Sequence, residues 1–322
     1  VRIVLAEAGR AGDVERALRG LGLWTRRHSA AEQGGGQVAF AVTSSSTPAS
    51  RADVEAVAGV TAVFDADSLH PLIDQMPRSV VVGGRTIGRG TQTALCAGPC
   101  SVESEEQIHR LAGAVAAQGA FALRGGAWKP RTSPRGFQGH GRLALGWLVA
   151  AARAHDLAVI TEVVSERDVD DIAAVVDVLQ VGARSMHSGA LLRAVGAAKK
   201  PVLLKRAFSA TLEEWLLAGE ALLLHGAPVV LFCERGVRGP DNGMRNVLDV
   251  GAIAVLAHAH GLPVFVDPSH AAGRRDLVVP LAHAGLAAGA CGVVVEVHDR
   301  PADALSDAPQ AVPPRTLTAL WR

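Results

Sequence analysis

The chain of 322 residues predicts a (β/α)8 barrel preceded by a small ferredoxin-like α+β module, on three observations. From residue 94 onward, short apolar strands alternate with helical segments of roughly ten or more residues, the pattern of βα units. Eight such units fill about 230 residues, the count and length of a closed barrel. The segment after the first of these strands, CAGPCSVES, is not the Gly-rich phosphate loop that an open doubly wound sheet carries there.

Taken in order, RIVLA (2–6) reads as a strand and GDVERALRGLGL (12–23) as an amphipathic helix. WTRRHS (24–29) reads as a short strand, QVAFAVT (37–43) as a clear one, RADVEAVAG (51–59) as a helix and VTAVFDA (60–66) as a last strand. The order βαββαβ over residues 1–70 is that of a ferredoxin-like module. It carries no convergent polar motif, so it is expected to serve regulation or an interface. Residues 71–92 form a linker in which VVVGGRTIGR (80–89) predicts a hairpin with a Gly-Gly turn, placed to plug the bottom of the barrel. The barrel itself spans 93–322. Its strands are TALCA, FALR, AVIT, VLQV, VLLK, VVLFC, VFVD and GVVVEV, with helices such as EEQIHRLAGAVAAQ and LEEWLLAGEALLLH between them.

Composition sets bounds on function. The formal net charge is +1, which excludes a general polyanion binder, so any basic site is local. Only Lys129, Lys199, Lys200 and Lys205 are lysines, and the other 28 cations are arginines. A Lys kept in so Arg-rich a chain points to a need for a compact ammonium. No apolar run reaches the ~18 residues that span a bilayer. The first residues lack the order of a signal peptide, and four dispersed cysteines make no disulfide scaffold, so a reduced, cytoplasmic setting is expected.

Barrel chemistry collects where strands end, because those loops converge on one mouth. Cys100 follows the first strand, Arg124, Lys129 and Arg131 the second, and Glu162 the third. Gly182-Ala183-Arg184 follow the fourth, Lys205-Arg206 end the fifth, and Glu234-Arg235 end the sixth. The seventh runs into Asp267-Pro268-Ser269-His270, and the eighth carries Glu296 and His298 with Asp307 beyond. Two sets separate by chemistry. Cys100, His270, Glu296 and Asp307 offer a thiolate, an imidazole and two carboxylates, a mixed donor set suited to Mn, Fe, Co or Zn. Cys96, inside an apolar strand, is expected to be core. Arg124, Lys129, Arg131, Arg184, Lys205 and Arg235 form the second set, whose cations outnumber the acids near them. A ligand with two or more anionic groups, at least one a phosphate, would balance them. No basic stripe with exposed aromatics accompanies them, which argues against nucleic acid. Together the sets predict a metal-dependent barrel acting on small phosphorylated carbon compounds.

The segments AGPCSVES, LRGGAWKPRTSPRGFQG, QVGARSM, PVLLKRAFSATLEEWLLAGE, LFCERGVR, VFVDPSHAAGRRDL and VVVEVHDRPADALSDAPQ resemble 3-deoxy-D-arabino-heptulosonate-7-phosphate (DAHP) synthases of the type I beta class. The likeness runs in order over residues 80–312, and the first 70 residues resemble the ferredoxin-like regulatory domain that some members carry. It implies condensation of phosphoenolpyruvate with erythrose 4-phosphate at the entry to the shikimate pathway, with a divalent metal, Mn2+ first and Fe2+, Co2+ or Zn2+ as alternatives. It also implies Cys100, His270, Glu296 and Asp307 as metal ligands, and Arg124, Lys129 and Lys205 around the phosphoenolpyruvate carboxylate. Arg184, Arg235 and the Ala183 N–H would take its phosphate, Glu162 would hold a water, and Arg131 and Thr132 would contact the aldose phosphate. Lys129 is placed as proton donor. An aromatic amino acid effector and a homo-oligomer, dimer or tetramer, are further implications.

Two departures stand out. RGPDNGMRNV (238–247) replaces the family's usual R-T-F-E-x-x-T-R-N-T, and Arg135-Gly136 replaces its Tyr-Ser. They keep open a paralogue that condenses phosphoenolpyruvate with another aldehyde, and, from another class, a non-catalytic sensor. In RGGAWKPRTSPRGFQG (124–139), Pro130 and Pro134 are expected to stiffen the loop and Gly125 and Gly126 to permit a tight turn out of the strand.

Overall fold

The structure is a computed structural model that describes residues 2–29, 36–65, 67–88, 90–129, 135–240 and 242–321, with Ser29 described through its backbone only. Two units, Val1–Leu69 and His70–Arg322, each have their own core.

In the first unit, β1 (Arg2–Glu7), α1 (Ala11–Gly20), β2 (Thr25–Ser29), β3 (Gln37–Val42), α2 (Arg51–Glu55) and β4 (Val60–Asp65) follow in the expected order. The strands form an antiparallel sheet in the order β2-β3-β1-β4, the ferredoxin-like arrangement. Ala11, Val14 and Leu18 recur along one face of α1 and are buried against Val4, Ala6 and Phe40. Ser50 caps α2 by accepting from the Asp53 N–H at 3.0 Å.

The second unit opens with a short helix, α3 (Pro71–Asp74), and the hairpin β5 (Ser79–Val82) and β6 (Arg85–Gly88). Gly83 and Gly84 both have positive φ, 55° and 75°, as a two-residue hairpin turn of this twist requires. A Cβ on Gly83 would lie 2.7 Å from Ala158 Cβ, at the start of a barrel strand. Val80, Val82 and Ile87 are buried in the barrel's core cluster, so the hairpin closes the N-terminal end of the barrel.

Eight parallel strands close the barrel: β7 (Ala94–Gly98), β8 (Ala122–Arg124), β9 (Ala158–Val163), β10 (Val178–Val181), β11 (Val202–Lys205), β12 (Val230–Glu234), β13 (Val264–Val266) and β14 (Gly292–Glu296). They are buried almost throughout, because helices cover the outside and side chains fill the inside. Cys96 and Cys233 lie in this interior, fully buried, and burial pushes both thiols up. The covering helices include α4 (Glu105–Ala116), α5 (Arg142–Arg153), α6 (Val169–Ala173), α7 (Gly189–Ala197), α8 (Leu212–Leu224), α9 (Val250–Ala254), α10 (Pro268–Ala272) and α11 (Val278–Ala287). Local signals start several of them: Ser104 caps α4, and Thr211 with Glu214 forms a capping box on α8. Among the described residues no helix is long and apolar enough to cross a membrane.

The sequence reading left α3 out, since four residues show no periodicity. A residue far along the chain holds it instead. Glu220 on α8 accepts from the Leu72 and Ile73 N–H groups at 3.0 and 2.9 Å and so caps the helix that buries Ile73. Replacing Glu220 by Ala should cost about 1–2 kcal/mol, read as a lower urea midpoint with an unchanged slope.

Candidate active site

Strand ends supply the charged groups, and strand alternation decides which of them face inward. On β11 and just beyond it, Lys205 and Arg206 point to opposite sides, as successive strand residues must. Lys205 turns into the barrel and pairs with Asp267, while Arg206 turns outward to Glu234 (3.1 Å), Asp249 (2.8 Å) and the ring of Trp215. On β12 the order reverses: Glu234 faces outward, and Arg235 faces the mouth with its guanidinium 4.6 Å from the Phe208 ring centroid. Arg206 and Glu234 are therefore a buried pair behind the mouth, joined by half-buried Asp249, and no part of its lining.

A cavity of about 460 Å3 opens at this mouth. Its lining includes Cys100, Arg124, Lys129, Glu162, Ala183, Arg184, Lys205, Arg235, His270 and Asp307. Glu296 lies directly behind, fully buried, and accepts from Arg124 Nη1 at 3.0 Å. Arg131 and Thr132 fall outside the described residues, as do Pro130 and Pro134. Six cations line the cavity (Arg245 is the sixth) against the carboxylates of Glu162 and Asp307. Asp267 and Glu296 offset part of that excess from behind, through Lys205 and Arg124. Arg184 is exposed and has no acidic partner among the described residues, and Arg124 Nε is buried without a hydrogen-bond partner. A polyanionic ligand fits such a wall.

One side of the cavity gathers the mixed donors. Cys100 Sγ, a Glu296 oxygen and an Asp307 oxygen all lie within 4.8 Å of one another. His270 stands beside them, its Nε2 3.3 Å from Glu296 Oε1 and its Nδ1 donating to Asp267 Oδ2 at 2.7 Å. Asp267 caps α10 through the His270 N–H and also orients the ring, a carboxylate–histidine pairing typical behind metal ligands. Burial holds the His270 imidazolium down against the pull of Asp267, leaving a neutral ring with Nε2 available. Burial works against the Asp267 charge, yet the His270 ring, the Lys205 ammonium and their hydrogen bonds keep its carboxyl well below the usual range. A soft thiol, an imidazole and two carboxylates fit a divalent transition metal.

Lys129 joins the two halves. Its Nζ lies 2.6 Å from Cys100 Sγ and 3.1 Å from Asp307 Oδ2. Burial would lower its pKa, but the Cys100 sulfur it donates to and the Glu296 and Asp307 carboxylates beside it more than reverse that, so it stays an ammonium. Burial likewise opposes the Asp307 charge, and the Lys129 ammonium, with the hydrogen bond from the Cys100 thiol, overrides it, holding that carboxyl far below the usual range. Burial, then the Glu296 charge, raise the Cys100 thiol strongly even beside the Lys129 ammonium, so it keeps its proton and donates to Asp307 Oδ2 at 3.0 Å. A metal ion bound at the sulfur would favour the thiolate.

The basic loop is anchored at both described ends: Trp128 bridges Gly139, and the Lys129 N–H donates to Gln138 O at 2.8 Å. Gly125 and Gly126 do not act as expected. Neither has positive φ; they are small because a Cβ on Gly126 would meet Cys100 O at 2.8 Å, and one on Gly125 would meet Val102 at 2.9 Å. Close approach of two strand exits, and no special turn, demands glycine there.

Several site residues went unassigned in the sequence reading. Asp267 was visible as Asp-Pro before a helix, a cap signal with a second use. Arg245 and Asn246, from the RGPDNGMRNV stretch, run along α10 through backbone bonds to Ala272 and Ala271, with Asn246 Nδ2 donating to His270 O at 3.0 Å and Arg245 reaching Gln310 at 3.1 Å. Gln310 in turn donates to Glu296 Oε2 at 2.6 Å, a link across the fold that no local pattern reveals.

The family model described as the DAHP synthetase I family matches residues 70–321. A phospho-2-dehydro-3-deoxyheptonate aldolase of Thermotoga maritima is 44% identical over 238 residues, which are 73% of this chain and 70% of that one. A 2-dehydro-3-deoxyphosphooctonate aldolase of Nitrobacter hamburgensis is 32% identical over 263 residues, 76% of this chain and 90% of the relative. The crystal structure of a Thermotoga maritima DAHP synthase matches with a TM-score of 0.76 at 34% identity, covering 99% of this chain and 94% of that one. The matched segment takes in the whole barrel and every residue of its cavity, and on that basis the chain belongs to the DAHP synthetase I family.

Proposed function

We propose that the chain condenses phosphoenolpyruvate with erythrose 4-phosphate to give DAHP and phosphate. The observation that carries this reading is one cavity in which an excess of cations meets a thiol–imidazole–carboxylate donor set, with Lys129, itself one of those cations, in contact with Cys100 and Asp307. Carbon count separates the two activities among the relatives. A seven-carbon product needs a four-carbon aldose beside the three carbons of phosphoenolpyruvate, and an eight-carbon product needs a five-carbon one. The higher identity to the heptonate enzyme favours the four-carbon acceptor.

In this reading Arg124 and Lys205 hold the phosphoenolpyruvate carboxylate, and Arg184, Arg235 and the Ala183 N–H hold its phosphate. Glu162, beside Gly182, positions the water that adds at C2, and Arg131 and Thr132 meet the aldose phosphate. Cys100, His270, Glu296 and Asp307 would hold the divalent metal, Mn2+ in our assignment, which when bound supplies Lewis-acid polarisation of the aldehyde. With both substrates fixed, C3 of the enol reaches the aldehyde carbon, and the new alkoxide oxygen takes a proton from Lys129 Nζ. Water adds at the C2 cation, one of its protons restoring the Lys129 ammonium. The phosphohemiketal then collapses to the C2 ketone as the C2–O bond breaks and phosphate leaves with the other proton.

Phosphate release measured across four- and five-carbon aldose phosphates should give the highest kcat/KM with erythrose 4-phosphate. A higher value with a five-carbon aldose would overturn the acceptor assignment. Cys100→Ala should lower metal-dependent turnover by about 100-fold or more, and Mn2+ added to the chelator-treated wild type should restore it. Lys129→Met should lower kcat by about 10²- to 10⁴-fold while Mn2+ binds at least as tightly, because a competing cation is gone. Weakened Mn2+ binding would place Lys129 among the supports of the donor set instead.

A further inference from the structure

Asp307 is one of three residues other than glycine with positive φ among the described residues, at 50°. L side chains enter that region rarely, and where one does the surroundings must hold it there. The supports come from the segment just after Cys100. Ser101 Oγ and Ser306 Oγ, both buried, are 2.7 Å apart. Glu103 Oε1 accepts from the Leu305 N–H at 2.8 Å, and Glu103 Oε2 lies 3.4 Å from His298 Nε2. His298 Nδ1 lies 3.0 Å from the Arg300 N, and its Nε2 also lies 2.9 Å from Gln107 Nε2. Gln107 on α4 holds the Glu103 backbone at 3.0 Å, and Arg110 pairs with Asp299 at 2.9 Å. The start of the 299–307 loop is thus tied to α4, and its end, at Leu305 and Ser306, to the turn that presents Cys100.

We propose that Glu103 and Ser101 are positioning residues for the metal centre: they dock the 299–307 loop so that the Asp307 carboxylate meets Cys100. Neither side chain touches the donor atoms, and each acts on the residues immediately before Asp307. The CSVES segment therefore supplies a ligand through Cys100 and sets the distance to a second ligand 207 residues away. This inference rests on Cys100, His270, Glu296 and Asp307 being a metal site.

The test is Mn2+ titration calorimetry on the metal-free full chain, with Glu103→Gln and Ser101→Ala each made with and without Asp307→Asn. Outer supports of metal ligands typically contribute 10- to 100-fold in affinity, so Glu103→Gln should weaken Mn2+ binding by about tenfold. In the Asp307→Asn background the same change should shift affinity by less than about twofold, because contacting residues acting through one group do not add. Thermal midpoints of the metal-free variants check folding, and Ser101→Ala carries the same comparison if Glu103→Gln does not fold. Wild-type affinity in both variants, or an equal loss with and without the Asp307 carboxylate, overturns the proposal. A wild type that binds no Mn2+ would instead refute the metal site itself.

Discussion

Two carboxylates with no solvent exposure, Asp267 and Glu296, fix the arrangement on which the mouth of the barrel depends. A buried charge must be paired, and these two are paired with nearly everything that matters around them. Asp267 takes Lys205 and the Nδ1 side of His270, while Glu296 takes Arg124, Gln310 and the Nε2 side. His270 is held between them like an axle. Removing one partner from such a buried set leaves charge uncompensated, typically a loss of about 3–5 kcal/mol. The barrel supplies the backbone that makes this geometry stiff, since Asp267 follows β13 directly and Glu296 ends β14, its neighbour in the sheet.

With its counter-charges placed behind the wall, the cavity keeps a surplus of positive charge in front. That surplus is the physical basis for binding a phosphorylated anion, and it is strongest where Arg184 and Arg235 face the opening. Lys129 has a different part. Its ammonium fits between a thiol and a carboxylate at short range, where a planar guanidinium would not, which explains a lysine in a chain of arginines. The loop between β12 and α9 adds further lining to the cavity, through Arg235 and Arg245. It departs from the usual pattern at its tip, yet Val237 still pairs with Val247 and Asn246 still holds the His270 backbone. Asn246, which matches the usual pattern, thus keeps its support of His270.

Periodicity, the count of strand–helix units and a Gly-Gly turn signal were enough to predict the fourteen strands among the described residues and the closed barrel, because buried parallel strands and amphipathic helices leave strong one-dimensional patterns. The rule that barrel chemistry gathers at strand ends also determined most of the cavity's cations and all four donors, since each sits within a few residues of a strand end or on a recognisable motif. Tertiary structure decided the rest. Which of Lys205 and Arg206 faces inward follows from strand register and tilt, which the residue pair itself does not specify. Asp267, Gln310 and Glu220 act through partners distant in sequence or around a helix turn, and a carboxylate or amide in a loop gives no sign of what it will meet. The glycines after Arg124 could be read as turn-makers from sequence, but only the approach of the Cys100 carbonyl shows that they are there to let two chains pass. Spacing along a chain is a local property, whereas pairing of buried charge depends on which groups closure brings together.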